Sequence, residues 1–271
     1  MAKVRLDVFL YEKNLVPSRS LAQRLVMAGE VLVDGEKALK PSQKIDEDSE
    51  VELIQGPKFA SRGGEKLEAG LLNFGLVDLS GKVCVDVGSS TGGFTDCLLQ
   101  YGALKVYSID VGYGILHWKL RNDPRVIVME RTNARNVEVF PEPIDLVTID
   151  ASFISVKILL PVIKNWLHHT SQVIMLIKPQ FEAGRKDAAK GSGVIRDHEL
   201  HKKILEDVLT YAQDHGYFFR GLIQSPLKGP KGNIEFLAWL TLNNHENQEL
   251  NAIEISLDDA INNIIENLSD S

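Results

Sequence analysis

Five short apolar runs recur between residues 83 and 177: VCVDV at 83–87, VYSI at 106–109, VIVM at 126–129, LVTI at 146–149 and VIMLI at 173–177. Strands buried on both faces read as continuous apolar runs, and parallel neighbours need a crossover of a dozen residues or more. This rhythm therefore predicts a mostly parallel sheet with helices on both faces. Two further segments, 217–224 and 234–240, are joined by the turn-rich SPLKGPKG without room for a helix. They are expected to pair as an antiparallel hairpin at the sheet. Open sheets of this kind bind ligands beyond the carboxyl ends of their strands, so the residues there are the first candidates for function.

A chain of 271 residues, 44% hydrophobic, can bury one full-sized domain and a small one. Gln55-Gly56-Pro57 interrupts the periodicity. The expected division is a small domain at 1–56, a linker at 57–62, the α/β domain at 63–245 and an acidic helix or tail at 246–271. The net charge of −7 resides in that tail, since 244–271 hold seven acids and no Lys or Arg, which leaves 30 acids against 30 bases elsewhere. Cys84 and Cys97 form no CxxC pair, and no His/Cys/carboxylate cluster has ligand spacing, so neither a disulfide framework nor a metal is expected. The charged MAKVRLDVFLYEKN lacks a signal-peptide core, and no apolar run reaches the ~18 residues of a membrane span. A soluble, cytoplasmic protein is expected.

In the first 55 residues, Leu6, Phe9 and Leu10 lie on one face of a first helix. Ser18 is placed to cap a second helix that ends near Gly29, and Asp34-Gly35 makes a hairpin turn between short strands. Basic side chains lie off the apolar faces: Lys3, Arg5, Arg19, Arg24, Lys37 and Lys40. Such a unit can hold an RNA backbone by charge and shape. The runs RLDVFL and SRSLAQRLVMAGEVLVDG resemble the S-four RNA-binding domain, named after a ribosomal protein. The resemblance implies an α+β module whose basic residues contact RNA, and Arg62, at the end of the linker, is a further candidate RNA contact.

The first long strand leads into VGSSTGGFTD, a glycine turn opening a helix, without the G-x-G-x-x-G spacing of dinucleotide binders. A class I methyltransferase sheet has the predicted order and uses such a turn to approach S-adenosylmethionine. The turn residues Gly88, Ser89, Gly92, Gly93 and Phe94 are therefore candidate cofactor contacts. Asp110, 22 residues after Gly88, is placed for the ribose hydroxyls, and Asp86 for the methionine ammonium. Asn133, after the third strand, is placed either for the adenine edge or to satisfy its own backbone. NAD would use the same Asp110, but the missing third glycine and Asp86 favour S-adenosylmethionine.

No Asn/Asp-Pro-Pro-aromatic motif and no nucleophilic cysteine follows the fourth strand. Instead Asp150 ends IDASF's strand and Lys178 ends VIMLIK, and a lysine closing an apolar strand is costly unless paired. Lys66 in SRGGEKL and Glu235 in GNIEFLAWL can converge on the same edge. The order Lys66, Asp150, Lys178, Glu235 resembles the tetrad of FtsJ-type ribose 2′-O-methyltransferases. SRGGEKL, DVGSSTGGFT, DVGYG, TIDASFIS and IKPQFEAGR look like the TlyA family across nearly the whole chain. The resemblance implies a class I methyltransferase sheet behind an S-four domain. It further implies S-adenosyl-L-methionine as cofactor, the ribose 2′-hydroxyl of cytidine in ribosomal RNA as acceptor, and ribosomal RNA or ribosomal subunits as partners. In that reading Lys178 takes the hydroxyl proton or aligns its lone pair, Asp150 orients Lys178, and Lys66 and Glu235 position the ribose.

Other features carry less. His168-His169 read as a solvated loop after a helix. FEAGRKDAAKGSGVIRD, with Arg185, Lys186 and Lys190, reads equally as a lid or an ordinary loop. SLDDAINNIIENL is a helix capped by Ser256, with Leu257, Ile261, Ile264 and Leu268 on one face. Two other function classes fit the sequence less well. A membrane-active haemolysin, suggested by a family name, is opposed by the absence of a spanning segment or basic amphipathic helix. A catalytically inactive RNA-binding scaffold is opposed by the filled tetrad.

Overall fold

The computed structural model describes residues 3–54, 56–184, 193–242 and 256–269. The chain divides into two compact units, Met1–Lys58 and Phe59–Ser271.

The smaller unit runs β1 (Lys3–Arg5), α1 (Leu6–Glu12), α2 (Arg19–Met27), β2 (Val31–Val33), β3 (Glu36–Lys37), β4 (Lys44–Asp46) and β5 (Val51–Leu53). Ser18 caps α2 by accepting from the Leu21 amide at 3.2 Å. Asp34 and Gly35, both with positive φ, form the two-residue turn between β2 and β3. The antiparallel order is β3-β2-β5, and β1 pairs separately with β4, a strand pair the sequence pattern does not announce. Leu6, Leu10, Ala22, Val26, Val31 and Ile45 form its core. Asp7, also buried, accepts from Arg5 (3.0 and 3.1 Å), Arg19 (3.1 Å) and Gln23 (2.8 Å). These donors, Arg5 foremost, hold its carboxyl well below the usual carboxylate range. Arg5 and Arg19 therefore have a structural duty, while about half of each side chain stays exposed. Lys3, Arg24, Lys37 and Lys40 are exposed.

The larger unit continues with α3 (Gly63–Asn73), β6 (Val83–Val87), α4 (Gly93–Gln100), β7 (Lys105–Ile109), α5 (Trp118–Arg121), β8 (Val126–Met129) and β9 (Ile144–Ile149). It then runs through α6 (Val156–Ile163), β10 (Leu167–Ile177), α7 (Pro179–Glu182), α8 (His198–Asp214), β11 (Phe218–Gln224), β12 (Phe236–Thr241) and α9 (Leu257–Ser269). The sheet order is β11-β12-β10-β9-β6-β7-β8, with β6 to β10 parallel and β12 antiparallel to both neighbours. This is the predicted class I methyltransferase sheet with its closing hairpin. All five residues of β6 are buried because each face is covered. Val83, Val85 and Val87 join the core under α6 and α8, while Cys84 joins the core under α3 and α4. The alternation puts Asp86 on the α4 side.

Two expectations need correction. The linker at 57–62 is too long: Phe59 is buried in the core of the larger unit, and the Ala60 amide donates to Asp96 Oδ2 at 2.6 Å. A side chain on Gly64 would meet the Phe59 ring at 2.3 Å, so 59–62 is packed onto α3. His168 and His169 lie not in a loop but in the first residues of β10, where buried Ser171 accepts from the His168 amide. The C-terminal helix packs on α8 and β11 as expected, with Ile261, Ile265 and Leu268 buried and Leu257 and Ile264 partly buried against the same core. Arg185, Lys186 and Lys190 lie outside the described residues, as does all of the tail before Ser256.

Candidate active site

The turn after β6 sits at the centre of the sheet's carboxyl edge. Gly88 has φ +86°, and a Cβ there would lie 2.8 Å from the backbone oxygen of Asp150. Only glycine lets the β6 turn pass this close to the chain leaving β9. At the start of α4, a Cβ on Gly93 would meet Ser61 Oγ at 2.4 Å and the Gly64 nitrogen at 2.8 Å. Gly93 is thus required by the close approach of α3, and it also lines the tetrad cavity described below. Phe94 and Ser89 are buried, and both reach the wall of the cavity described next.

Two neighbouring cavities open along this edge and share Gly88, Ser90, Asp150 and Ser152. One, of about 440 Å³, is lined by apolar Val111, Ile115 and Leu159 together with Asp110 and Asn133. Asp110 accepts from the Ser90 amide at 2.8 Å and the Gly112 amide at 2.7 Å, one on each oxygen. Each carboxylate oxygen retains a second lone pair for a hydroxyl donor. Asn133 uses its side-chain oxygen locally, accepting from the Arg135 amide at 3.1 Å and Nε at 3.3 Å.

Asp86 is not on either wall. Its carboxylate is fully buried beneath α4 and accepts from Thr95 Oγ1 at 2.6 Å and Thr148 Oγ1 at 3.3 Å. Burial pushes its pKa up to about 7 against the opposing effect of Thr95. The ammonium contact expected of Asp86 does not fit this position. The side chain tethers α4 to the sheet, because the strand's alternation turns it toward that helix.

The second cavity, of about 290 Å³, gathers Lys66 from α3, Asp150 after β9, Lys178 after β10 and Glu235, one residue before β12. They form two ion pairs rather than one network. Lys66 Nζ lies 2.5 Å from Glu235 Oε2. Lys178 Nζ lies 2.6 Å from Asp150 Oδ1, close in distance without hydrogen-bond alignment, and donates to Asp150 O at 3.2 Å and Ser152 Oγ at 3.0 Å. Both lysines and Glu235 are buried, whereas Asp150 is partly open to the cavity. Gln180 Nε2 reaches Glu235 Oε1 at 3.3 Å. Glu182, at the end of α7, accepts from the Val156 amide at 2.8 Å and from Ser155 Oγ. It fastens the segment after Lys178 to the segment after Asp150, and the Phe153 and Phe181 rings, 5.1 Å apart, reinforce that join. Exposed Arg62 stands on the same wall, as does Lys228 from the β11–β12 loop.

The sequence reading missed Ser152, Gln180, Glu182 and Lys228. Ser152 and Gln180 stand inside the quoted motifs IDASF and IKPQF, yet no spacing rule marks them. Lys228 is one charge in a turn-rich link.

The FtsJ-like methyltransferase family matches residues 59–242, and the S4 domain matches residues 4–51. Hemolysin A of Brachyspira hyodysenteriae is 44% identical over 238 residues, covering 87% of this chain and 98% of that protein. The 16S/23S rRNA (cytidine-2′-O)-methyltransferase TlyA of Mycobacterium tuberculosis is 40% identical over 242 residues, covering 88% of this chain and 90% of its own length. Among solved structures, a hemolysin candidate from Streptococcus thermophilus is 40% identical with a TM-score of 0.70, covering 100% of this chain and 98% of its own.

Proposed function

The chain belongs to the FtsJ-like methyltransferases and, among them, to the TlyA and hemolysin A family, and from that premise we propose that it methylates the ribose 2′-hydroxyl of cytidine in ribosomal RNA. The observation that carries this reading is the convergence of Lys66, Asp150, Lys178 and Glu235 in one cavity beside the glycine turn. An rRNA substrate implies action in the cytoplasm, with the S4 domain adding RNA contacts through Lys3, Arg5, Arg19, Arg24, Lys37 and Lys40. No described helix is long and apolar enough to cross a membrane.

The residues fit S-adenosylmethionine. The adenosine end suits the apolar cavity, where Asp110 has lone pairs left for two ribose hydroxyls and Asn133 borders the base. The turn at Gly88, without a side chain, leads from that cavity to the tetrad. When bound, the cofactor supplies a methyl group on a positively charged sulfur. Lys178 would hold the 2′-oxygen, and the hydroxyl proton would pass to the Lys178–Asp150 pair, whose carboxylate can accept it while the ammonium stays charged. Three oxygens already surround Lys178 Nζ, so its position is set before substrate arrives. The Lys66–Glu235 pair borders the acceptor and holds two charges that would be costly if separated.

The test incubates the protein with S-adenosylmethionine labelled in the methyl group and rRNA from a strain lacking it, followed by alkaline hydrolysis. A 2′-O-methyl blocks cleavage at its nucleotide, so label is expected in alkali-resistant dinucleotides. Label on mononucleotides, or none, overturns the reading and in the latter case favours an inactive scaffold. Lys178→Ala is expected to lower single-turnover transfer by ~10²–10⁴-fold with little change in cofactor or RNA affinity. Normal transfer by that variant would refute the role of Lys178.

A further inference from the structure

We propose that Lys228 is a substrate-positioning residue that grips the phosphodiester beside the target ribose, an inference that rests on the ribose-methylation reading. Among the described residues the tetrad cavity has four cations on its wall, and two of them, Lys66 and Lys178, are spent on Glu235 and Asp150. The other two, Arg62 and Lys228, have no ion-pairing acid among the described residues and are exposed. Arg62 is a sequence-level candidate for RNA contact, whereas nothing in the sequence marks Lys228.

The loop that carries Lys228 is built, not slack. Ser225 N donates to Glu235 O at 2.8 Å and Gly229 N to Asn233 O at 2.8 Å, closing the loop at its base. Ser225 Oγ donates to Leu227 O at 2.8 Å inside it. Buried Asn233 donates to Gly193 O at 2.8 Å and accepts from the Ile195 amide at 2.9 Å, pinning the loop to the segment before α8. A Cβ on Gly229 would lie only 2.5 Å from Glu235 Oε1, so the residue after Lys228 rests on the tetrad carboxylate. Lys228 is therefore placed one residue from the acid that fixes Lys66, on a backbone that cannot drift away from it.

A ribose 2′-oxygen sits on the carbon next to the one bearing the 3′-phosphate, so any RNA that presents its 2′-hydroxyl to Lys178 brings a phosphate to the rim of this cavity. The two internal ion pairs are neutral and offer that phosphate no net attraction. An unpaired lysine on a fixed loop does, and phosphate contacts of this kind set the register of an RNA without reading its bases.

The test compares the full-length protein with Lys228→Gln and Lys228→Arg, using rRNA purified from a strain lacking the protein. Binding is measured across a series of salt concentrations, and methylation kinetics at fixed saturating cofactor. For Lys228→Gln the slope of log affinity against log salt is expected to flatten by about 0.7–0.9, one phosphate contact. KM for RNA should rise roughly three- to ten-fold, as expected for one hydrogen-bonded contact. The rate at saturating RNA and the affinity for cofactor should stay unchanged, and Lys228→Arg should keep the wild-type slope. An unchanged slope and KM in Lys228→Gln, or an arginine variant indistinguishable from the glutamine one, overturns the proposal. Because the slope is read without methyl transfer, a wild-type protein that methylates no ribose would overturn the reaction instead, and a flattened slope would still support the contact.

Discussion

Asp86→Asn is expected to stabilise the protein at alkaline pH while leaving cofactor affinity intact. The Asp86 carboxyl is fully buried, and burial raises its pKa to about 7 from the ordinary 3.8. A folded-state pKa above the unfolded one means that the folded protein binds the proton more tightly. The resulting stability is complete below about pH 4 and is lost as pH rises from there to about 7. Above pH 7 the native state holds an ionised, buried carboxylate, and a displacement from 3.8 to about 7 corresponds to on the order of 4 kcal/mol. Asparagine removes that charge in nearly the same shape. Its oxygen can accept from Thr95 Oγ1, and its amide can face Thr148 Oγ1, whose hydroxyl then donates to Val85 O at 3.4 Å. Imperfect geometry offsets part of the gain, leaving roughly 2–4 kcal/mol at pH 8 and about zero near pH 4. Each kcal/mol moves the Tm of a unit this size by roughly 2–4 °C. Scanning calorimetry of both proteins from pH 4 to 8 should show two Tm curves that meet in acid and separate as pH rises. A variant that melts earlier than the parent at pH 8 would refute the burial argument. A cofactor affinity lowered more than tenfold would instead return Asp86 to the binding site.

Two further changes probe the frame that holds the site. Gly88→Ala forces a side chain into a left-handed backbone and against Asp150 O, so stability should fall by roughly 1–3 kcal/mol and cofactor binding should weaken with it; thermal melts and titration calorimetry check both, and unchanged binding would place the cofactor elsewhere. Glu182→Ala removes the acceptor of the Val156 amide and Ser155 hydroxyl, and should cost roughly 1–3 kcal/mol and lower kcat more than it alters KM, because it loosens Asp150 relative to Lys178; Glu182→Gln, which keeps an acceptor and a donor, should recover most of the rate.

What the sequence makes legible here is whatever a local pattern must satisfy. Continuous apolar runs mark β6 to β10 because strands covered on both faces tolerate little else, and SPLKGPKG marks the hairpin because no helix fits in it. The tetrad is legible as residue types at strand ends, but its division into Lys66 with Glu235 and Lys178 with Asp150 depends on side-chain reach across 169 and 28 residues of chain, which no spacing encodes. Phe59 escaped notice because a two-residue apolar step is too short to show a period, and its burial depends on Gly64 leaving room for the ring. Asp86 was misplaced for a different reason. Its distance from Gly88 along the chain suggests proximity to the cofactor, yet strand alternation had already assigned it with Cys84 to the face opposite Val85 and Val87. One residue before the end of β6, the Asp86 side chain still belongs to a core face, whereas polar residues just beyond the last paired position turn into the cleft. Asp110 and Asp150 lie one residue past β7 and β9, and Lys178 one residue past β10, and all three reach a cavity wall. Asp86, Asp110, Asp150 and Lys178 are thus sorted by a single residue of strand length: Asp86, inside the ladder, holds the scaffold together, and the other three, just outside it, are available for chemistry.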